Sequence, residues 1–288
     1  NALEKGKYVW PENGALNLLL KAKNDPDKPY FLILDEMNLS HVERYFADFL
    51  SAMESEEKIP IHPDTPEWEE PLEAELELPE NLFIIGTVNV DETTYMFSPK
   101  VLDRAQVLEF RVTKEDMKTY LGNNTTLNIS SIDSLGSEMA SSFLNHAKTD
   151  KKLSDNMDVV RETLVSFFSE LKKTGAEFGY RSASEISRFL AVAKEFSPET
   201  DLNELIDAAI MQKLLPRVHG SRRKLEETLK TLGSLCLQDD QDINEVFKNW
   251  YDFEYENLDK VKYPLSLEKI ARMYNDLTTN GFTSFAEA

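Results

Sequence analysis

The stretch that most constrains this chain is a short apolar run, residues 30–34, that ends in the adjacent acids Asp35 and Glu36. Its β-forming side chains predict a strand buried on both faces, as in a parallel sheet covered by helices. Open α/β sheets bind ligands at the carboxyl ends of their strands. The two carboxylates therefore occupy a ligand-presenting position. The alternative is a strand that simply exits into a polar loop.

A second buried-strand pattern follows at residues 82–89 and ends in Asn89. If this strand lies beside the first, its amide comes close to Asp35 and Glu36. An acidic pair at a strand end is the Walker B arrangement of P-loop NTPases. In that arrangement Asp35 would hold Mg²⁺ through water and Glu36 would polarise the attacking water, with Asn89 orienting that water or the γ-phosphate. Taken alone, Asn89 is more typical of a turn residue than of a site residue.

The segments around these strands suit a βαβ unit. Residues 14–23 and 42–53 have helical periodicity, and residues 107–112 predict a third strand after a short helix at 100–105. Arg104 lies just before that third strand. It is either a structural partner of Asp103 or an arginine finger that reaches the nucleotide of a neighbouring subunit.

Composition narrows the possible functions. The formal charge of −20 argues against a general DNA-binding surface on this chain, so any DNA contact would come through other regions. A single cysteine fits a reducing cytoplasm, and no apolar stretch is long enough to predict a membrane helix. Residues 54–80 are acidic and proline-rich, and residues 59–61 have a pattern that suits pairing with 74–78. A solvated surface hairpin or loop is the favoured interpretation, and the alternative is a hairpin that faces the pore or a partner of a ring.

One expected motif is absent. No Gly-x-x-x-x-Gly-Lys-[Ser/Thr] occurs in the sequence, so the loop whose backbone N–H groups would cradle phosphates is missing. Either the acidic pair does not serve a nucleotide, or the chain is a fragment that begins downstream of that loop. We expect the chain by itself to neither bind nucleotide tightly nor hydrolyse it.

The motifs at residues 34–39, 45–51, 86–89 and 100–105 resemble the AAA+ domain of McrB-type proteins, the GTPase subunits of modification-dependent restriction systems. The resemblance implies Asp35 and Glu36 as Walker B, Asn89 as sensor 1 and Arg104 as arginine finger. It covers residues 8–112 well and the remainder more loosely. The family's usual Met-Asn-Thr-Ala-Asp at sensor 1 is Val-Asn-Val-Asp-Glu here, so only Asn89 is carried over and Asp91 stays open.

Beyond a polar connector at residues 123–137 the sequence predicts helices only. These amphipathic stretches cover residues 157–171, 182–196, 202–215, 221–235 and 266–277. Gly175 is expected to end the first of them. Residues 182–185 read as a capping box that opens one helix. Arg181 lies beside it, where a sensor 2 arginine would contact the nucleotide, although a surface arginine at a helix end is equally typical.

We therefore predict an α/β fold, with a partial AAA+ core (residues 1–113, a parallel sheet with helices) followed by an all-α lid (residues 114–288). The resemblance implies a cytoplasmic ring that hydrolyses GTP or ATP with Mg²⁺ and powers an McrC-like endonuclease subunit on DNA. Two alternatives stay open. One is a MoxR-like AAA+ chaperone ATPase, and the other is a degenerate AAA+ scaffold without enzymatic activity.

Overall fold

The computed structural model describes residues 2–4, 7–9, 14–55, 57–61, 73–89, 97–122, 129–133, 135–136, 138–149, 157–239 and 241–288. The chain divides into two compact units. The first unit comprises Asn1–Met37, Arg44–Val88 and Leu108–Thr149, and the second comprises Asn38–Glu43, Asn89–Val107 and Asp150–Ala288. The sequence-based boundary at residues 113 and 114 stays a prediction, since residues 108–149 group with the first unit in this division.

The described part of residues 1–149 is α/β. Its strands are β1 (Ala2–Glu4), β2 (Lys7–Val9), β3 (Tyr30–Leu34), β4 (Ile59–Pro60), β5 (Glu75–Leu76) and β6 (Leu82–Gly86). Its α-helices are α1 (Gly14–Asn24), α2 (Val42–Tyr45), α3 (Ala47–Ser55), α4 (Pro99–Leu102), α5 (Lys114–Gly122) and α6 (Ala140–Lys148). The predicted single helix over residues 42–53 is thus two helices, interrupted at Phe46.

The two strands that carry the polar motifs pair directly. β3 and β6 are parallel, in a register that runs from Tyr30 opposite Leu82 to Leu34 opposite Gly86. Parallel pairing requires a long connection, which here contains α2, α3 and the antiparallel hairpin of β4 and β5. The predicted neighbouring strands and the predicted hairpin are therefore confirmed where the structure describes them. Residues 62–72 of the hairpin lie outside the described residues.

The prediction that β3 is buried on both faces is wrong. Phe31 and Ile33 are 46% and 63% exposed, while the alternate residues are half-buried. A continuous apolar run does not distinguish burial on one face from burial on two. In the described chain this sheet has two strands, and its more open face is covered in part by Phe143 of α6, whose ring centroid lies 5.9 Å from that of Phe31.

The core of the first unit joins α1, α3, β4, β5 and β6. Its buried members are Leu19, Ala22, Ala52, Ile59, Leu76 and Leu82. A buried amide ties the turn before β3 to β6, because Asn81 Nδ2 donates to the carbonyl oxygens of Ala22 and Lys28 at 3.0 and 2.8 Å. This turn is fixed by a polar group in an otherwise apolar core, so the strand starts at a defined position.

The predicted third strand over residues 107–112 is also wrong. Residues 105–113 are irregular, and Phe110 is 93% exposed. The alternating apolar side chains satisfy the strand pattern, but a strand forms only where a second strand accepts its backbone hydrogen bonds. The helix that follows, α5, has no buried residue.

The second unit is mostly helical. Its long α-helices are α7 (Met157–Lys172), α8 (Tyr180–Phe196), α9 (Leu202–Ala209), α10 (Arg222–Leu235), α11 (Ile243–Lys248) and α12 (Pro264–Asn280). Fully buried leucines and isoleucines from most of these helices form one core, among them Leu190, Ile210, Leu229 and Ile270. Gly175, at φ +69°, follows the end of α7 as predicted, since glycine adopts left-handed backbone conformations without strain.

The prediction of helices only is wrong for two short strands of the described residues. β7 (His219–Ser221) and β8 (Phe282–Ser284) pair antiparallel, although helices α10 to α12 lie between them in sequence. Strands of three residues are too short for period-two alternation to reveal them. The pairing joins the start of α10 to the end of α12. Among the described helices of the whole chain, none is both long and apolar enough to cross a bilayer.

Candidate functional site

Asp35 and Glu36 stand at the carboxyl end of β3, and a threonine faces them from the end of β6. Because Leu34 pairs with Gly86, Thr87 comes opposite Asp35. The Thr87 hydroxyl donates to Asp35 Oδ1 at 2.5 Å and accepts the Glu36 N–H at 2.8 Å. One hydroxyl thus orients the first carboxylate and fixes the backbone of the second acidic residue.

The backbone bends sharply at Glu36. Its φ of +50° is the only positive value at a non-glycine residue in the described chain. Such a conformation is strained for a side chain with a Cβ and persists where surrounding bonds hold it. The bond from the Glu36 N–H to Thr87 is one of these, and the bend leaves the Glu36 side chain exposed.

The turn after the acidic pair folds back onto β6. The Met37 N–H donates to Thr87 O at 2.8 Å, and the Thr87 N–H donates to Leu34 O at 2.9 Å. Met37 lies so close that a Cβ on Gly86 would stand 2.5 Å from Met37 Sδ. A larger residue at the end of β6 would therefore require the Met37 side chain to shift.

Removal of the Thr87 hydroxyl gives a direct test of this arrangement. Thr87→Val is expected to lower the free energy of unfolding by about 0.5–1.5 kcal/mol, because the Glu36 N–H and Asp35 lose a shared partner while the volume is kept. Urea denaturation measures the change. Thr87→Ser retains the hydroxyl and is the matched control. A loss in Thr87→Ser with none in Thr87→Val would show that the methyl group, and not the hydrogen bonds, matters here.

The oxygen donors at this edge suit Mg²⁺, the ion that the resemblance implies. Mg²⁺ prefers oxygen ligands, keeps several waters and is commonly bound through one or two carboxylates together with substrate phosphates. Asp35 supplies one exposed carboxylate, whose Oδ1 is oriented by Thr87. No cluster of three or more His, Cys, Asp or Glu residues suited to a metal occurs in the described parts of the chain. The edge therefore fits a hydrated ion, not one enclosed by protein ligands.

Asn89 belongs to the second unit, and a buried asparagine holds its backbone. Asn38 is buried, and its Nδ2 donates to Asn89 O at 3.0 Å. The Asn89 side chain is exposed. The sequence pattern gave Asn38 no role in the site, so its contact with the backbone of the predicted sensor residue was missed.

Arg104 follows the short helix α4 and is half-buried. Its guanidinium donates to Lys100 O at 2.5 Å, so the side chain folds back along its own helix. The start of α4 is held by Glu43, whose carboxylate accepts the Ser98 N–H at 3.0 Å. Hydrogen bonding with Ser98 lowers the pKa of Glu43 below its ordinary value.

Arg181 lies at the start of α8, as predicted, and is exposed. Its Nε donates to Glu185 Oε1, one turn later, at 3.0 Å. The predicted capping box is wrong, because α8 begins at Tyr180 after an N-cap glycine and Ser182 therefore lies inside the helix. Ser182 is buried, and its hydroxyl accepts a bond from Arg217 at 2.6 Å. The capping-box pattern gave no indication of this buried contact between Ser182 and Arg217.

Two buried cations of the second unit were missed by sequence reasoning. Lys213 and Arg217 are 2% and 8% exposed, and Lys213 forms an ion pair with Glu185. Burial lowers the pKa of the Lys213 ammonium. Because Glu185 also pairs with Arg181, one carboxylate joins an exposed and a buried cation. In the sequence, Lys213 reads only as a polar position in an amphipathic stretch.

The structure thus groups the predicted residues by unit. Asp35 and Glu36 lie together with Thr87 in the first unit, and Asn89, Arg104 and Arg181 belong to the second. Their assigned roles stay predictions. Within the second unit, Lys213 bonds to the segment that carries Arg104 and pairs with Glu185, which also pairs with Arg181.

Comparison with known proteins gives a family but no activity. Residues 111–282, more than half of the chain, match the family described as "Domain of unknown function (DUF8727)". No curated protein and no solved structure matches the chain. The matched segment includes Arg181, Lys213 and Arg217, whereas the predicted residues from Asp35 to Arg104 precede it. On the extent of this match, the chain belongs to the DUF8727 family.

Proposed function

We propose that this chain is part of an AAA+ NTPase that resembles McrB-type proteins and hydrolyses GTP or ATP. The observation that carries the proposal is the parallel pairing of β3 with β6, which sets Asp35 opposite Thr87 at the carboxyl edge of the sheet. Acidic residues at that edge are the usual place for nucleotide chemistry in α/β proteins. No phosphate-binding glycine loop occurs in these residues, so the proposal assigns that loop to sequence outside them.

In this proposal the two acidic residues have separate tasks. Asp35, oriented by Thr87, would hold Mg²⁺ through its water shell, and the ion would supply neutralisation of charge on the phosphates. Glu36 accepts a hydrogen bond from the attacking water and orients it toward the γ-phosphate. Its exposed side chain and its fixed backbone suit that task, because the carboxylate is accessible while its attachment point is held.

The resemblance assigns the remaining groups to Asn89, Arg181 and Arg104. Asn89 orients the water or the γ-phosphate as sensor 1, with its backbone held by Asn38. Arg181 contacts the nucleotide phosphates as sensor 2, for which it must leave Glu185. Arg104 serves as a finger for the neighbouring subunit, for which its guanidinium must leave Lys100 O.

The proposal extends to the assembly. A finger that acts in trans requires a ring in which each nucleotide lies between two subunits. By the resemblance, that ring would power an McrC-like endonuclease subunit on DNA. The charge of −20 is consistent with DNA contact through other regions.

The deciding experiment measures Mg²⁺-dependent hydrolysis of GTP and ATP by the full-length protein that contains this chain. We expect turnover that requires Mg²⁺. Calorimetric titration of the 288-residue chain alone with either nucleotide is expected to show no binding in the micromolar range. A full-length protein that neither binds nor hydrolyses nucleotide would overturn the proposal and favour the scaffold. Micromolar binding to the chain alone would contradict the assignment of the phosphate loop to other sequence.

A further inference from the structure

We propose that Lys213 and Arg217 are positioning residues that hold Arg104 in place by fixing the segment around it, residues 103–107, to the helical part of the second unit. The catalytic consequence rests on the proposed function, in which Arg104 is a finger. The attachment itself is a property of the structure alone.

Lys213 forms hydrogen bonds with the backbone on both sides of Arg104. Its Nζ donates to Asp103 O at 3.0 Å and to Ala105 O at 2.9 Å. The third direction is taken by the ion pair with Glu185. An ammonium has three N–H donors, and all three are used. Lys213 is therefore not available as a nucleophile or as a ligand for an anion, and its contacts serve to fix residues 103–105.

Arg217 holds the same segment through its side chain. Its NH1 lies 2.6 Å from Asp103 Oδ1 in an ion pair, and its NH2 donates to the Ser182 hydroxyl at 2.6 Å. NH1 also donates to Glu177 O at 3.3 Å. A planar guanidinium with several donors in a fixed fork suits such a junction. Arg217 thereby connects Asp103 to the beginning of α8.

The helix that carries Lys213 is distorted, and the distortion leaves a backbone carbonyl available for a third contact with residues 103–107. Ile210–Leu214 form a π-helical turn, in which the Leu215 N–H bonds to Ile210 O. In a regular α-helix Gln212 O would accept from residue 216, but that residue is Pro216, which has no N–H. Gln212 O instead accepts the Val107 N–H at 3.0 Å. Short π-helical turns are frequent at functional positions.

Gln212 adds a side-chain contact to the same segment. Its Oε1 accepts from Gln106 Nε2 at 3.0 Å. We call Gln212, Lys213 and Arg217 the clamp. Together they bond to Asp103, Ala105, Gln106 and Val107, so each neighbour of Arg104 in the segment is held.

Burying the two charged groups of the clamp, Lys213 and Arg217, costs free energy, which argues for a positioning role. Burial lowers the pKa of both Lys213 and Arg217, because the charged forms lose water. A buried ion pair adds little stability over an apolar pair of similar volume, whereas its geometry is specific. An apolar contact could attach the segment as firmly, but it would not fix the carbonyl groups on both sides of Arg104.

The clamp also joins the two predicted arginines of the second unit. Glu185 pairs with Arg181 at 3.0 Å and with Lys213. Arg181 is the proposed contact to a subunit's own nucleotide, and Arg104 is the proposed contact to the nucleotide next door. The carboxylate of Glu185 therefore lies between the two arginines. Through it, a short chain of contacts connects the nucleotide site of one subunit to the finger that acts on the neighbouring subunit.

Hydrogen exchange in the 288-residue chain tests the attachment. In Lys213→Met, amides of residues 103–107 are expected to exchange about tenfold faster or more, because the segment is released. Pro216→Ala is the milder variant, since its new N–H competes for Gln212 O. Arg222→Gln is the control, because it removes an exposed pair with Glu226 on α10. Circular dichroism establishes that each variant is folded. Unchanged exchange in folded Lys213→Met and Pro216→Ala would overturn the proposal.

Mixing of full-length subunits tests the catalytic consequence. Lys213→Met is expected to lower kcat about tenfold or more with little change in KM, and Glu36→Gln to be inactive. A mixed ring should regain activity, because Glu36→Gln subunits supply well-placed fingers to Lys213→Met sites. A general folding defect would not be rescued in this way. Faster exchange with no rescue would overturn the role in trans. Absence of hydrolysis in the wild type would overturn the proposed function, while exchange still decides the attachment.

Discussion

Replacing Glu36 with glutamine is expected to lower kcat for NTP hydrolysis by the full-length protein by about 10²–10⁴-fold, the usual contribution of a general base. The amide has nearly the volume of the carboxylate but accepts a proton poorly, so the attacking water is no longer polarised. The backbone bond from residue 36 to Thr87 does not involve the side chain and should persist. Nucleotide affinity is therefore expected to change by less than about threefold. Steady-state kinetics and calorimetry separate the two quantities.

Glu80→Gln is the matched control for this substitution. Glu80 is exposed and lies in the turn before β6, at the opposite end of that strand from Thr87. The two variants change the net charge equally on the same sheet. Equal activity of Glu36→Gln and wild type would remove Glu36 from the catalytic site. A similar loss in Glu80→Gln would indicate that charge, and not the position of the carboxylate, determines activity.

The features of the fold that the sequence predicted well are those set by short-range chemistry. The helix of residues 157–171, its terminating Gly175, and strands β3 and β6 follow from periodicity and backbone preference. The pairing of β3 with β6 was also predictable, since two apolar strands separated by helical sequence favour a parallel arrangement.

The wrong predictions for β3 and for residues 107–112 share one cause, which is the choice of partner. The pattern at residues 107–112 is that of a strand, and the pattern of β3 is that of a doubly covered strand. Both outcomes depend on what lies beside them, and Phe110 and Ile33 remain exposed. The capping box failed for a similar reason, because Ser182 is taken by Arg217 from a distant part of the sequence.

The residues of the candidate site also divide into those that a local sequence signal reveals and those that depend on distant partners. Asp35 and Glu36 were found because position at a strand end is a local signal. Thr87 lies within the motif at residues 86–89, and the register of β3 and β6 would have placed it opposite Asp35. The clamp was not predictable from periodicity, since Lys213 bonds to residues more than 100 positions away. Pro216 was the available signal, because a proline four residues after Gln212 leaves a helical carbonyl without its donor.

Asp207→Ala is expected to lower the free energy of unfolding by about 2–3 kcal/mol, the largest stability effect that we predict. Asp207 is 2% exposed, and its carboxylate caps the start of α12 from α9. It accepts the N–H groups of Leu265 and Ser266 at 2.7 and 2.8 Å. Alanine would leave these donors without an acceptor, the second of them in a buried position. Urea denaturation with an unchanged m value would measure the loss.

Asp207→Asn is the control, because its amide oxygen still accepts from the start of α12. Asp207→Asn is expected to lower the free energy of unfolding less than Asp207→Ala does. Because asparagine is neutral, this variant also isolates the effect of the charge. Burial raises the pKa of Asp207 above its ordinary value of 3.8, so between 3.8 and the raised pKa the folded state binds more protons than the unfolded state. Stability from this group therefore falls as pH rises through that window. Asparagine has no such dependence, so the advantage of wild type over Asp207→Asn should shrink from pH 3.8 upward. A constant difference across that range would show that Asp207 titrates alike in both states, and that its hydrogen bonds to α12 offset the cost of burial.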